Sequence, residues 1–366
     1  MKQINITLLL VGLLLVGNYS FAGIITVNNN NPSPGQYNDL QTAIDAAQAG
    51  DTLLIHRSAT SYGNVIITKR ITLIGEGDLA NKATLSASTL GIVTLNYNTT
   101  TLEHASKSKL IGLTLANLNI NEKSTDVNFA CDSVYISYSK ITVITPKNKV
   151  NGLTIKYSII NNIVGGQLFN CRFTNNIMNN ANMSSVDGSN NILINNIFTQ
   201  RLNLSGGVVA NNIFYANAGV AFLFTCKNVI TSNNILYNTT IPFTPTDFTS
   251  NGNSSVNNQF NVDPLFVNPV TFNALNAYTH TAPTTGPFAD FHLQPTSPAI
   301  NAGTDGTDLG IYGGGVPWRD GSTTDSRYRY FPLPDAVPVI TGVTVQNPVV
   351  NQGGTLQIQI NATTQP

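Results

Sequence analysis

The chain has 366 residues, of which 18 are Lys or Arg and 18 are Asp or Glu, so charged residues make up only 10%. This length allows one large domain or two of ordinary size. A neutral, charge-poor chain argues against electrostatic capture of nucleic acid or of an anionic membrane, whereas it is compatible with neutral ligands such as glycans.

The first residues have the pattern of a secretory signal peptide. Lys2 supplies the positive start, an apolar run extends over residues 8–16, and Ser20 and Ala22 are small residues at the positions that a signal peptidase reads. We expect cleavage after Ala22, which makes residues 1–22 a signal peptide and the remaining chain secreted or held at the cell surface. The apolar run is too short for a comfortable membrane span and no other stretch approaches one, so we expect no transmembrane segment.

Residues 38–50 contain the one convincing amphipathic helix of the sequence. Leu40, Ile44 and Ala47 fall on one stripe, and Asn38 or Asp39 can cap its start. The β-branched runs that follow are punctuated by glycine and are typical of strands. One helix followed only by strands fits an element that covers the open end of a stack, so we predict a capping helix within an opening segment at 23–50.

From about residue 107 to residue 238 the chain repeats a short apolar strand followed by Asn-Asn-Ile. The asparagine pairs are Asn161 and Asn162, Asn175 and Asn176, Asn195 and Asn196, Asn211 and Asn212, and Asn233 and Asn234. Repeats of roughly twenty residues predict a solenoid. Helical solenoids need helix-period segments, which these repeats lack, so the pattern predicts an all-β solenoid of parallel strands over residues 51–315.

Asparagine explains how each coil of such a solenoid can turn its corner. It tolerates the left-handed backbone of a sharp turn, and parallel stacking places the same residue of successive coils about 4.8 Å apart. Side-chain amides that recur at one position can then bond to those above and below. We therefore assign all ten asparagines to a structural ladder, and we expect the isoleucine after each pair to point into the core.

After residue 238 the chain becomes rich in Pro, Thr and Asn. The segments VDPLFVNP and DFHLQPTSPAINAG have the character of last, less regular coils that cover the second open end. Residues 316–366 are assigned to a C-terminal cap and a short β tail, because apolar residues alternate with glutamines from 356 to 360 as in a half-exposed strand. This tail either pairs back onto the solenoid or begins a truncated sandwich domain, and in the second case the chain is an adhesin fragment.

The two ends of the repeat region carry a family resemblance. QTAIDAAQAGDTLLI followed by ITKRITLIGEG resembles the opening segment, and DPLFVNP with FHLQPTSPAINAG resembles the closing segment, of exported right-handed parallel β-helix proteins in the pectin-lyase-like superfamily. The resemblance covers about residues 24–315 and implies a right-handed β-helix. It does not single out an activity, because this fold carries many activities and also none.

The enzymes of that superfamily offer two chemistries to look for. Hydrolases need carboxylates that flank one glycosidic bond, but Asp132 and Asp187 are the only acidic residues between 127 and 238. Lyases use an Arg or Lys base, with calcium held by acidic residues. Lys156, Arg172 and Arg201 follow one another in successive coils and could line one face, although the acidic calcium cluster is missing from those coils. The catalytic residues therefore stay unassigned, and these three belong to a lyase hypothesis alone.

We expect neither a metal nor another cofactor. The histidines are dispersed without ligand spacing, and Asp305 and Asp308 lie too close together for a calcium loop and fit a turn that satisfies backbone amides. The three cysteines match no metal or disulfide framework, so we interpret them as small buried residues, with one disulfide and a free thiol as the alternative. These are Cys131, Cys171 and Cys226.

The sequence thus favours a secreted or cell-surface β-helix protein with a binding or structural role and a polysaccharide as its partner, and we expect a monomer. Recurring aromatic residues are either core or an outward ladder on which sugar rings stack. They are Tyr135, Tyr138, Tyr157, Phe169, Phe173, Phe198, Phe214 and Tyr215. Two alternatives stay open, a polysaccharide lyase acting on acidic glycans and an adhesin fragment.

Overall fold

The structure is a computed structural model that describes residues 22–30, 35–75, 87–121, 131–183, 189–216, 222–238, 241–268, 290–318, 339–345 and 358–363. The signal-peptide prediction lies outside the described residues except for Ala22. The boundaries predicted at 22, 50 and 315 stay predictions.

Helix contributes little to the fold. Helix α1 spans Leu40–Ala46, helix α2 spans Thr246–Thr249, and a 3₁₀ turn spans Gly310–Tyr312. The Asp39 side chain caps α1 by accepting a hydrogen bond from the backbone N–H of Thr42 at 2.7 Å. The helix buries Leu40, Ala43 and Ile44 in the same apolar cluster as the first strands. Its role as the cap of the stack stays a prediction.

Strands make up almost all of the regular structure, and most have three to seven residues. The first fourteen are β1 (Ile24–Val27), β2 (Thr52–Ile55), β3 (Val65–Ile67), β4 (Thr72–Gly75), β5 (Thr89–Leu95), β6 (Lys109–Ile111), β7 (Thr114–Ile120), β8 (Tyr135–Ser137), β9 (Lys140–Pro146), β10 (Lys149–Asn151), β11 (Thr154–Lys156), β12 (Ile159–Val164), β13 (Gln167–Phe169) and β14 (Arg172–Thr174). The others are β15 (Ile177–Asn182), β16 (Asn191–Ile194), β17 (Ile197–Asn203), β18 (Ser205–Ala210), β19 (Ile213–Ala216), β20 (Leu223–Phe224), β21 (Lys227–Ser232), β22 (Ile235–Asn238), β23 (Ser254–Val256), β24 (Gln259–Phe260), β25 (Phe266–Asn268), β26 (Asp290–Leu293), β27 (Val339–Val345) and β28 (Ile358–Thr363).

These strands form two long parallel sheets of 11 strands each. The first sheet has the order β1-β2-β4-β6-β8-β11-β14-β16-β18-β21-β23. The second runs β3-β5-β7-β9-β12-β15-β17-β19-β22-β24, with β20 beside β17. Strands β10 and β13 pair in a separate two-stranded parallel sheet, and β1 pairs directly with β2. Most other consecutive strands alternate between the two long sheets, so the chain winds as a parallel β-solenoid, and the predicted all-β fold is confirmed. Near the C-terminus, β25 pairs with β26 and β27 with β28, both antiparallel.

Inside the solenoid, apolar side chains stack on their counterparts from coil to coil. In the second sheet one buried column holds Ile160, Met178, Phe198, Phe214 and Leu236. Phe198 and Phe214 stack with their ring centroids 5.0 Å apart. Because each core side chain packs on the same position of the next coil, shape complementarity recurs along the axis.

Four of the asparagine pairs lie at the corner between the two sheets. The first asparagine of four pairs has a left-handed backbone, with φ of 53° at Asn175, 57° at Asn195, 58° at Asn211 and 50° at Asn233. The second asparagine of each pair is buried. In Asn196, Asn212 and Asn234 the side-chain oxygen accepts hydrogen bonds from both the backbone N–H and the side-chain amide of the asparagine one coil earlier. The side-chain amide of Asn176 donates to Asn196 at 3.1 Å. The amide of Asn196 donates to Asn212, and that of Asn212 to Asn234, at 3.0 Å each. The amide of Asn234 donates to Asn258 at 2.8 Å.

Asn161 and Asn162 do not occupy this corner. Ile159, two residues earlier, pairs with Ile177, so the corner of that coil is formed by Tyr157 and Ser158. Ser158 continues the ladder, since its backbone N–H donates to the Asn176 side chain at 3.0 Å. Asn161 and Asn162 lie within β12, where Asn161 accepts from the Asn179 side chain at 2.9 Å. The sequence IINNIV therefore resembles the repeat but is shifted along the coil.

The isoleucine after each corner pair points outward, contrary to the inward direction expected from the sequence. Because the second asparagine faces the interior, the next residue of the strand faces away from it. Ile177, Ile197, Ile213 and Ile235 are nevertheless buried, in a cluster separate from the main core. Their cover is supplied by residues 290–318, which we call the strap, through Leu309, Ile311 and Trp318 among others.

The strap is fastened to the corner asparagines. The Asn233 side chain donates to the Ala302 carbonyl at 2.9 Å, Asn211 donates to Thr304 Oγ1 at 3.0 Å, and Asn175 donates to the Ile311 and Gly313 carbonyls at 2.9 Å each. The Tyr157 hydroxyl donates to the Val316 carbonyl at 2.8 Å. This segment therefore runs back along the side of the solenoid, whereas the sequence suggested that it covers the end.

Candidate functional site

The outer face of the first sheet brings polar and cationic side chains together. Along β6, β8, β11 and β14 the buried residues are Leu110, Ile136, Ile155 and Phe173, so the residues on either side of each point outward. The strand register aligns one outward column as Lys109, Tyr135, Thr154 and Arg172. Lys156 and Thr174 stand on adjacent strands of the neighbouring column. We call these six residues the cationic face.

The spacing of this face follows from the sheet itself. Neighbouring strands lie about 4.8 Å apart, so Lys109 and Arg172, three strands apart, are separated by roughly 14 Å with Tyr135 and Thr154 between them. Lys109 and Arg172 are exposed, and Tyr135 and Lys156 are half-buried. The strands hold these side chains in a fixed order, so the face needs little rearrangement to meet an extended ligand.

The electrostatic character of the face is one-sided. Among the described residues, Lys109, Lys156 and Arg172 make no ion pair, and no outward position of β6, β8, β11 or β14 carries a carboxylate. The nearby Asp132 accepts a hydrogen bond from the backbone N–H of Asn151 at 3.2 Å, which gives it a local structural role. A chain of zero net charge therefore presents a local positive patch on an ordered surface.

The structure separates the three basic residues of the lyase hypothesis. Lys156 and Arg172 lie on adjacent strands of the first sheet, whereas Arg201 lies in β17 of the second sheet, paired with Asn180 and Leu223. Successive position along the chain does not place residues on one face when each coil contributes to two sheets. The sequence did not point to Lys109, because this residue lies two coils before Lys156. The feature that could have identified it is its outward position in β6, two residues before Ile111.

The aromatic residues divide between core and surface. Phe173, Phe198 and Phe214 are fully buried, and Tyr215 is almost so. Tyr138 and Tyr157 stack with ring centroids 5.1 Å apart at the corner, where Tyr157 also contacts the strap. Phe169 lies under the Lys149 ammonium, which is 5.9 Å from the ring centroid. Tyr135 is the aromatic residue that joins the cationic face.

Two acidic residues of the strap serve its turns. The described residues contain no group of three or more His, Cys, Asp or Glu side chains that could hold a metal ion. The Asp305 side chain accepts from the N–H and the hydroxyl of Thr307 at 3.1 and 2.7 Å, which lowers the pKa of its carboxyl. Asp308 accepts from the Asn301 N–H at 2.9 Å, so both aspartates serve turns of the strap.

The three cysteines are free and buried. Burial raises the pKa of Cys131 and Cys171 to about 12 and also raises that of Cys226. The thiolate is the nucleophile and the metal ligand, so these side chains are unsuited to either role in the folded protein.

No family model matches the chain, and no curated protein matches it. Among solved structures, it is similar to a pectin methylesterase variant in complex with hexasaccharide IV and to a pectin methylesterase in complex with hexasaccharide VII. Each superposition covers 64% of this chain and 87% of the other at 11% identity, with TM-scores of 0.24 and 0.25. Likeness at this level carries no argument.

In the part of the chain that the structure describes, no helix is both long enough and apolar enough to cross a membrane.

Proposed function

We propose that the protein is an exported β-helix module that binds an acidic polysaccharide on the cationic face. The observation that carries this proposal is the column Lys109, Tyr135, Thr154 and Arg172, with Lys156 beside it, on an ordered sheet surface without carboxylates in these strands. Export is supported by the signal-peptide pattern of residues 1–22.

The chemistry of the side chains suits uronate-bearing chains. Arg172 can meet a carboxylate with two parallel hydrogen bonds, while Lys109 and Lys156 act as compact point charges. The Tyr135 ring offers a flat apolar surface for the apolar face of a sugar. Because the column runs along the solenoid axis, a linear polymer laid along it meets a cation, a ring and a second cation in turn.

Binding is preferred to cleavage because of the groups that cleavage requires. A lyase base must be unprotonated before it can accept a proton from the substrate. A guanidinium keeps its proton up to a pKa above about 12, so Arg172 is a weaker candidate base than a lysine. Hydrolysis needs two carboxylates around the bond, and the described strands of this face offer none. The lyase alternative rests on Lys156, which lies diagonally from Arg172 on the adjacent strand.

The test is retention and cleavage measured on the same samples. Purified protein is run through gels containing polygalacturonate or a neutral glucan, and the absorbance of unsaturated uronate is followed in parallel. We expect retardation by polygalacturonate alone, which weakens as added salt shortens the screening length from about 10 Å at 0.1 M to 3 Å at 1 M. An exposed ion pair contributes up to about 1 kcal/mol, so Arg172→Gln should weaken binding about fivefold.

Arg201→Gln provides the matched control, since it removes the same charge from the second sheet. Equal losses for Arg172→Gln and Arg201→Gln would mean that net charge, not the cationic face, determines binding. New uronate absorbance that is lost in Lys156→Gln would replace the binding proposal with the lyase.

A further inference from the structure

The outer face of the first sheet changes chemistry immediately beyond Arg172. Arg172 pairs with Ile192, and the same column continues through Val208 and Ile230. The neighbouring column continues from Thr174 through Ile194 and Ala210. On the last strand the first column ends at Ser254, and the neighbouring column reaches Val256 through Ser232. We call the apolar members of the two columns the aliphatic rungs: Ile192, Ile194, Val208, Ala210, Ile230 and Val256.

The aliphatic rungs are outward residues, not a second core. The residues that alternate with them, Leu193, Val209 and Val229, are buried inside the solenoid. Ile230 and Val256 remain 53% and 54% exposed. A solvated sheet face normally alternates apolar-in with polar-out, so successive strands with apolar residues on the outer side mark an interaction surface.

The second sheet shows what this chain does with outward isoleucines that need cover. Ile177, Ile197, Ile213 and Ile235 also point outward, and the strap buries them completely or nearly so. The strap passes along that corner and leaves five of the six aliphatic rungs half-buried or exposed, whereas Ala210 is buried. Apart from Ala210, the aliphatic rungs are thus an outward apolar surface that the strap does not bury.

We propose that the ligand of this face is an acidic glycan that carries an alkyl or acyl chain, with the charged sugars on the cationic face and the hydrocarbon along the aliphatic rungs. This inference rests on the proposed function and specifies its ligand. The two halves adjoin, since Arg172 and Ile192 are on neighbouring strands about 4.8 Å apart. A ligand with an anionic head and an apolar tail matches that order of charge and hydrocarbon.

Charge decides between this ligand and a second copy of the chain. Two copies packed face to face would set Lys109, Lys156 and Arg172 against their own counterparts or against isoleucine, and both arrangements leave cations without a partner. An anionic amphiphile neutralises the cations and covers the apolar residues at once.

The experiment compares an oligogalacturonate with the same oligosaccharide carrying one octyl chain at its reducing end. Affinities are measured by isothermal titration calorimetry at concentrations where the octyl derivative is monomeric. We expect the octyl derivative to bind at least about tenfold more tightly, a difference of about 1.4 kcal/mol that burial of two methylene groups would supply. Burial of apolar surface should also make the heat capacity change of binding more negative.

Ile230→Thr should remove this advantage while leaving the affinity for the plain oligogalacturonate unchanged. Threonine keeps the β-branched shape, so the strand is retained. The matched control is Ile66→Thr, since Ile66 is 52% exposed but lies on β3 of the second sheet. Arg172→Gln should weaken both ligands by the same factor.

The outcomes separate the two proposals. If the plain oligogalacturonate binds and the octyl chain brings no gain, this inference is wrong and the proposed function stands. If an octyl-bearing neutral oligosaccharide binds as tightly as the acidic one, the coupling of charge and hydrocarbon is wrong. Failure of both oligogalacturonates to bind overturns the proposed function and this inference with it.

Discussion

The interior asparagine ladder can be tested by replacing one of its members. Asn196 is fully buried, and its side-chain oxygen accepts from the Asn176 backbone N–H at 3.0 Å and from the Asn176 amide at 3.1 Å. Its own amide donates to the Phe173 carbonyl at 2.9 Å and to Asn212 at 3.0 Å. The amide also donates to the Ile194 carbonyl at 3.1 Å, so Asn196→Ala removes five hydrogen bonds and leaves the Asn176 N–H buried without an acceptor.

The magnitude follows from what the substitution leaves behind. A buried donor without a partner costs about 1–3 kcal/mol, and each other lost hydrogen bond contributes about 0.5–1.5 kcal/mol. We therefore expect Asn196→Ala to lower the free energy of unfolding by at least about 3 kcal/mol, the lower end of the sum of these contributions. The bonds join neighbouring coils, so the loss should also weaken cooperativity between the two halves of the solenoid.

The assay is urea unfolding followed by circular dichroism, combined with amide hydrogen exchange at Asn176. The matched control is Asn162→Ala, because sequence alone assigns Asn162 to the same ladder, whereas the structure places it half-buried in β12. We expect its effect to stay within about 0.5 kcal/mol. The reasoning would be refuted if Asn162→Ala destabilised the protein as much as Asn196→Ala, or if exchange at Asn176 did not accelerate.

Three further predictions concern the strap, the thiols and the helix cap. Gly314 has φ of +83° and a Cβ there would lie 2.5 Å from Asn195 Nδ2, so Gly314→Ala should loosen the strap and speed its proteolysis, while Gly315→Ala, with open space around it, should not. Burial raises the pKa of Cys131 and Cys171 to about 12, whereas unfolded thiols ionise near about 8.5. Both thiols should therefore resist thiol reagents at pH 8 until urea is added. The free energy of unfolding should fall as the pH rises above about 8.5, because the unfolded thiols then lose their protons first. Hydrogen bonds from Thr42 lower the pKa of Asp39. Asp39→Ala should therefore lower the free energy of unfolding by about 1 kcal/mol at pH 7, measured by urea unfolding. This difference should disappear as the pH falls below about 3.9, the pKa of an unfolded aspartate, and then through the lowered pKa of Asp39 in the folded protein.

The sequence predicted the fold because the corner of each coil has a strict local requirement. A left-handed turn followed by a buried hydrogen-bonding side chain selects asparagine at both positions, as at Asn195 and Asn196. The same requirement explains the errors. Tyr157 and Ser158 satisfy the corner without asparagine, while Asn257 and Asn258 satisfy it without a following isoleucine, so a search for Asn-Asn-Ile misses both coils.

The candidate site was harder to predict because it depends on register between distant parts of the chain. Arg172 lies 16 positions after Lys156, which is close to the length of one coil. The two residues fall on one face because their strands are neighbours in the first sheet. Arg201 follows Arg172 after 29 positions and falls on the second sheet. Loop lengths between strands vary from coil to coil, so spacing alone does not tell which sheet receives a given residue.

The corner asparagines link the regular solenoid to the strap that covers it. A left-handed residue at the corner directs its side chain away from the interior, so the first asparagine of each pair is free to bind another segment while the second holds the ladder. Asn175, Asn211 and Asn233 use that freedom to hold the strap, and the strap in turn buries the isoleucines that follow them. The Asn-Asn-Ile triplet therefore encodes three separate contacts in consecutive residues: an external anchor, an internal ladder member and an apolar surface for the strap. This assignment explains why isoleucine follows the pair in the coils that the strap crosses, and why Gln259, beyond Asn257 and Asn258, replaces it where no isoleucine is required.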